Sequence, residues 1–266
     1  MALLLERGLP PLEGALSLEE RVGSISLGEL RIGPLALLRQ LAGSSKKAVR
    51  SLPDGAPAVL AASWTADEVA YFVDAAGAIH RGAGERLWPE AGSIDAWVEK
   101  LALAAEALAA PSAVIVEVAA PLGEPLARAL RLGLVGEASD AASSWWRSGE
   151  VVAEVPALEP RVTLRALTLR SAAHALEAVR SLDRGAAVRV RAARPPPATP
   201  LVEPLPAAGS APLRYASSLP GESGRVWIAR RQGRVTIEQV AERPTGTSWE
   251  TFADGGHTRR EQWNRR

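Results

Sequence analysis

The chain has 266 residues, 47% of them hydrophobic, with a net charge of +1 and no cysteine. Its length and apolar content exclude disorder along the whole chain and suit one large domain or two modest ones. The missing cysteines exclude disulfides, thiolate nucleophiles and Cys-ligated zinc, and they fit a reducing compartment best. The near-zero net charge hides an asymmetry. Residues 1–160 carry 13 Lys and Arg against 21 Asp and Glu, a balance of −8, whereas residues 161–266 carry 18 Arg against 9 acids, a balance of +9. The three leucines after Met1-Ala2 are too short an apolar core for a secretory signal, and no run reaches the roughly 20 apolar residues of a membrane span. A cytoplasmic location is expected.

Along the first 45 residues the pattern is helical in two pieces. Ser17-Leu18-Glu19-Glu20 has capping-box spacing, and Pro34 and Gly43 bracket a second stripe of Leu35, Leu37, Leu38 and Leu41. After the polar 44–55 loop, Ala58–Trp64 reads as a strand. Val69–Val73 and Ala78–His80 flank Asp74-Ala75-Ala76-Gly77, which has Asp first and Gly last as a turn prefers, so a hairpin is predicted. Ser93 caps a long helix whose predicted buried stripe is Ile94, Trp97, Leu101, Ala104 and Leu108, ended by Pro111.

The middle alternates strand and helix. Ala113–Val116 is a dense β-branched run, Pro125–Leu132 is helical, and Trp145–Val155 is a hairpin through Arg147-Ser148-Gly149. Val162–Leu169, Ala172–Leu182 and Ala187–Val190 then give a β-α-β pattern. Seven prolines in Arg194–Pro212 predict a stiff linker or arm. Beyond it, Arg225–Ala229 and Arg234–Ile237 form a hairpin, and Arg243–Arg266 lacks apolar periodicity and is expected to be mobile.

The fold class predicted is α+β, a mixed or antiparallel sheet packed with helices, with a β-rich carboxyl-terminal region after the proline-rich arm. The expected divisions are a first α+β domain over 1–110, a second α/β region over 111–194, the arm over 195–212, and a hairpin with a basic tail over 213–266.

Chemistry-bearing patterns are scarce. His80, His174 and His257 are far apart, and none has a second histidine at helical ligand spacing. Ser44-Ser45-Lys46-Lys47 satisfies Ser-x-x-Lys, but it sits in a polar loop without the companion motifs. Gly82-Ala83-Gly84 lacks the third glycine of a dinucleotide fingerprint and reads as a loop. Carboxylate pairs such as Glu68 with Asp74, or Glu85 with Asp95, match no spacing that defines a site. No catalytic residue, metal ligand or cofactor is assigned. Trp249 and Trp263 among Arg259, Arg260, Arg265 and Arg266, like Trp145-Trp146-Arg147, combine rings that stack bases with cations that neutralise phosphates. The alternative, which the near-neutral overall charge favours, is that a tryptophan docks on the domain while the arginines stay solvated or pair with the acidic front half.

One stretch has a family likeness. Trp64–Asp74, then Gly77-Ala78-Ile79, then Ser93-Ile94-Asp95-Ala96-Trp97-Val98 place an aromatic strand, an Asp, a Gly turn and a capped helix bearing an aromatic in order. Over residues 57–103 this resembles the back half of the SUKH superfamily domain, whose members are mostly immunity proteins against bacterial toxins. The resemblance implies a hairpin packed on a helix and a role in protein binding, without catalytic residues.

Three functional readings follow. The first is a non-catalytic protein-binding protein, an immunity protein that neutralises a basic toxin through its acidic front half. The second is a nucleic-acid-associated protein using the basic carboxyl-terminal half. The third is an enzyme of unrecognised family. No membrane partner is expected.

Overall fold

The computed structural model describes residues 12–27, 30–34, 37, 48–64, 69–83, 86–110, 112–193, 211–217, 219–231, 234–254 and 256–263. The expected Ser44–Lys47 motif and the prolines of 194–210 lie outside these residues, as do Glu68, Glu85, Arg265, Arg266 and most of the stripe after Pro34. The fold is α+β, with four helices and two sheets among the described residues. None of these helices is long and apolar enough to cross a membrane. The chain divides into two compact units, one of residues 1–99 with 137–143 and one of 100–136 with 144–266.

In the first unit, α1 (Glu13–Val22) begins four residues ahead of the expected Ser17 cap. Its N-cap is Leu12, which makes no side-chain cap bond. Burial sets this start, because Leu12, Ala15 and Leu18 share one helix face and are all buried. Strands β1 (Ile25–Leu27), β2 (Leu30–Ile32), β3 (Val49–Ser51), β4 (Pro57–Trp64), β5 (Val69–Val73), β6 (Ile79–Ala83) and β7 (Arg86–Ala91) form a seven-stranded sheet. Its order is β1-β2-β4-β5-β6-β7, with β3 also paired to β4. The predicted β5–β6 hairpin is present. Asp74 Oδ1 accepts from the N–H groups of Ala76 and Ala78 at 2.9 Å, and Gly77 takes the turn's positive φ of 86°. A Cβ on Gly14 would lie 2.1 Å from the Asp74 carbonyl, so only glycine lets α1 seat on this turn.

The predicted long helix is α2 (Ile94–Ala109), entered through Ser93, whose Oγ accepts from Ala96 N–H at 3.1 Å. Ile94 and Trp97 are buried as expected, and the Trp97 ring lies 5.5 Å from Tyr71. Further along, the stripe differs from expectation. Leu103 and Ala107 are buried in place of Leu101 and Ala104, because the face set by Trp97 continues through 100, 103 and 107 at three- and four-residue steps. Gly82, expected in a loop, stands inside β6, where a Cβ would meet the Phe72 ring at 2.8 Å.

The second unit is built on β8 (Val114–Ala119), α3 (Gly123–Ala129), β9 (Gly133–Leu134), β10 (Ser143–Arg147), β11 (Val151–Pro156), β12 (Val162–Ala166), α4 (Leu169–Leu182) and β13 (Ala187–Ala192). Then come β14 (Leu213–Tyr215), β15 (Ser223–Arg231), β16 (Arg234–Arg243), β17 (Gly246–Ala253) and β18 (Gly256–Trp263). All are strands of one eleven-stranded sheet, ordered β18-β17-β16-β15-β14-β13-β8-β12-β11-β10-β9. Strands of 111–194 and of 213–266 thus share one sheet and one compact unit, joined where β13 pairs β14 in parallel. Helix α4 packs on β8 and β12 and also on β16, so the sheet curls around it. Eight of its fourteen residues are buried. The core is the inner face: Val116, Val118, Leu164, Val188, Val190, Val226, Ile237 and Phe252, facing Leu169, Leu176 and Val179.

The expected mobile tail is instead the β17–β18 hairpin, with a continuous register from Gly246↔Trp263 to Ala253↔Gly256. Its inward positions include Ser248 and Glu250 beside Phe252, so no apolar alternation marks it. The sequence Asp-Gly-Gly at 254–256 and the run of Thr247, Trp249, Thr251 and Phe252 carry the strand-and-turn signal.

Candidate functional site

The outer face of β14–β18 is where the basic and aromatic residues of the carboxyl-terminal half come together. Cross-strand register sets one continuous row: Arg214 on β14 faces Arg225 on β15, which faces Val240 on β16, then Trp249 on β17, then Arg260 on β18. With strands about 4.8 Å apart, the row is about 19 Å long. The three arginines are exposed, while Val240 and Trp249 are half-buried.

Two further features organise this face. The Arg260 guanidinium lies 5.7 Å from the Trp249 ring centroid, within cation–π range. Trp227, two residues beyond Arg225 on the same face, donates from Nε1 to the buried Glu238 at 2.9 Å, which fixes its ring. A cleft of about 600 Å³ opens here, lined by Pro212, Ser223, Gly224, Arg225, Trp227, Val240 and Glu242. Thr247, Thr251, Thr258 and Gln262 complete the surrounding polar carpet.

Arg214 and Arg225 are direct cross-strand neighbours of like charge. Neither makes an ion pair with any described residue, whereas Arg191, Arg230, Arg243 and Arg259 of the same sheet all do. Like charges placed opposite each other are destabilising by a few tenths to about 1 kcal/mol. The face thus places two arginines outside any ion pair among the described residues beside two rings, with Glu238 and Glu242 the carboxylates of the neighbouring rows on β16.

The strand carrying Arg225 is anchored just before its start. The Glu222 side chain is 2% exposed; it accepts from Ser217 Oγ at 2.6 Å and from Arg243 Nε. Burial alone pushes this carboxyl up, but the Ser217 and Arg243 hydrogen bonds outweigh it and hold it below the usual range. The same hydrogen bond raises the Arg243 pKa. Nearby Tyr215 is pushed up by burial, partly offset by Arg189.

The sequence-selected residues fare unevenly. Trp249 and Arg260 are brought together, whereas Arg259 turns to Glu250 and Glu261, and Trp263 is 64% exposed at the sheet's end. Trp145 is buried under Arg165 at 5.1 Å, and Arg147 pairs with Glu106, so that cluster serves packing. His80 and Asp74 make a 3.0 Å contact within the hairpin turn, His174 is exposed on α4, and His257 stacks on Phe252 inside β18 rather than in a flexible tail. Asp95 pairs with Arg21. Arg214, Arg225 and Trp227 were not selected, because only strand register connects them to Trp249. Among the described residues no three His, Cys, Asp or Glu side chains are grouped to hold a metal.

In the first unit, a separate cleft of about 510 Å³ is lined by Arg21, Val22, Ser93, Ile94, Asp95, Ala96, Val98, Glu99 and Glu137. Asp95, Glu99 and Glu137 are exposed, and Val98 is 39% exposed beside them.

No protein-family model, curated protein or solved structure matches this chain.

Proposed function

We propose that the protein is a non-catalytic binding protein whose outer β14–β18 face takes an extended polyanion. The observation that carries this reading is the cross-strand row in which Arg214 and Arg225 stand side by side without a carboxylate partner among the described residues. A ligand presenting regularly spaced negative charge would relieve their repulsion and supply the direct ion pairs that they lack among the described residues. The second unit as a whole carries 22 Lys and Arg against 15 Asp and Glu, so its long-range field favours the same class of ligand.

Inorganic polyphosphate is the simplest probe. Its affinity should fall steeply and linearly on a log–log plot against salt, and Arg225→Ala should lower both affinity and slope. Equal binding by wild type and Arg214→Ala/Arg225→Ala protein overturns the reading.

A second reading, a SUKH-like protein that binds a basic protein, is favoured by the first unit. That unit holds 9 Lys and Arg against 15 Asp and Glu, and its cleft presents Asp95, Glu99 and Glu137 around an exposed Val98. Acidic rims speed encounter with basic partners, and an apolar centre supplies affinity. Charge reversal at Glu99 and Glu137 would then slow association with a basic toxin-like partner. If it leaves that rate unchanged, this reading falls.

A further inference from the structure

We infer that the polyanion is a single-stranded nucleic acid whose bases stack on Trp249 and Trp227; this rests on the polyanion reading above and narrows it. A stretch of phosphates alone needs only cations. This face instead interleaves its cations with rings: Arg225 and Arg260 bracket Val240 and Trp249 in one row, and Trp227 stands on the same face one residue pair away. Stacking platforms set among basic residues are how sheet faces hold single strands without reading sequence.

The rings are prepared for that role. Trp227 is locked by its bond to Glu238, so little side-chain freedom remains to be lost on binding. Trp249 is half-buried in the sheet surface, with Val240 on one side and Arg260 on the other. Around them Ser223, Thr247, Thr251, Thr258 and Gln262 offer neutral donors and acceptors to base edges.

A duplex does not fit this chemistry. Its bases are already stacked and paired, so their faces are closed to the two tryptophans. An acidic protein segment would engage the arginines but has no planar groups to match two tryptophans. The row's length of about 19 Å is on the scale of the shortest single-strand sites, about four nucleotides.

The test titrates the full chain with oligothymidylate and oligouridylate of 15 nucleotides, a duplex of equal length, and inorganic polyphosphate. Both single strands should quench tryptophan fluorescence, and polyphosphate should not. Trp249→Leu, which keeps apolar bulk but no ring, should weaken single-strand binding about fivefold or more while changing polyphosphate binding less than about twofold. Trp249→Phe should restore most of the loss. The tighter of the two oligonucleotides identifies DNA or RNA as the source. If the duplex or polyphosphate binds as tightly as the single strands, or Trp249→Leu weakens all ligands alike, the nucleic-acid inference is wrong and the polyanion reading stands. If no ligand binds, both fall.

Discussion

Gln239 on β16 hydrogen-bonds both main-chain groups of Val190 on β13: its Oε1 accepts from the Val190 N–H at 2.8 Å, and its Nε2 donates to the Val190 carbonyl at 3.2 Å. Strand β14 is three residues long and on its β13 side pairs with Ala187 and Val188, so it ends before Val190. The curled sheet brings β16 over that position, and an amide side chain supplies both missing ladder bonds in the core.

Gln239→Leu should therefore destabilise the second unit by about 2–4 kcal/mol, since two buried main-chain groups lose partners at about 1–3 kcal/mol each and some relaxation follows. Gln239→Glu should be worse, because a carboxylate would face both the Val190 carbonyl and Glu250, which now accepts from Gln239 Nε2 at 3.2 Å. Chemical denaturation of the purified variants measures both losses.

Trp97 anchors the first unit. It is fully buried against Tyr71, and its Nε1 has no hydrogen-bond partner among the described residues. Trp97→Ala should cost about 3–5 kcal/mol by leaving a cavity. Trp97→Phe should cost clearly less, because it keeps an aromatic contact and removes an unsatisfied donor. Thermal unfolding of the two variants checks the order.

Glu222 makes stability depend on acid. Its folded-state pKa lies below the unfolded value, held there by Ser217 and Arg243 against burial. The stabilisation is fully present above the unfolded pKa, ordinarily about 4.3 for Glu, and is lost as pH falls through the depressed folded value. Glu222→Gln should cost about 1–3 kcal/mol at pH 7 and flatten this acid limb of the stability profile. A parallel acid limb in both proteins would assign it to other carboxylates.

The β17–β18 hairpin predicts a protease result. Trypsin should leave the bonds after Arg259 and Arg260 intact under native conditions, since both residues are paired in register with Glu250 and Trp249. Rapid cleavage there would show that the hairpin opens far more readily than the rest of the sheet.

Much of this architecture was legible residue by residue. The β5–β6 hairpin announced itself through Asp74 and Gly77, and the start of α2 through Ser93, because in each case local chemistry and burial agree. The hairpin of 246–263 did not, since Ser248 and Glu250 point into the polar part of the interior and mask the alternation. The second half of α2 hides its face for a related reason: Leu101 and Leu108 look like the stripe, but Trp97 decides the rotation and Leu103 and Ala107 are buried. The candidate face was legible only in part. Trp249 and Arg260 stand out only as members of a Trp- and Arg-bearing tail, while Arg214, Arg225 and Trp227 enter through pairings between β14, β15 and β16 that no local pattern encodes.

Charge on the face can also be raised. Glu242 is exposed, lines the cleft and lies opposite Ser223, one row from Arg225. Glu242→Gln should tighten polyphosphate binding by about two- to fivefold, the size of one like-charge contact near a surface. Titration at low salt measures it.

The most direct measurement of the central claim compares two triple charge reversals of equal net effect. One places Glu at Arg214, Arg225 and Arg260 in the row; the other places Glu at Arg131, Arg170 and Arg184, which are exposed elsewhere on the same unit. Polyphosphate affinity at fixed moderate salt should fall by about 100-fold or more in the row variant and by less than about fivefold in the control, with both folded by circular dichroism. Equal losses in the two would mean that binding follows net charge alone, and the claim for the β14–β18 face would be contradicted.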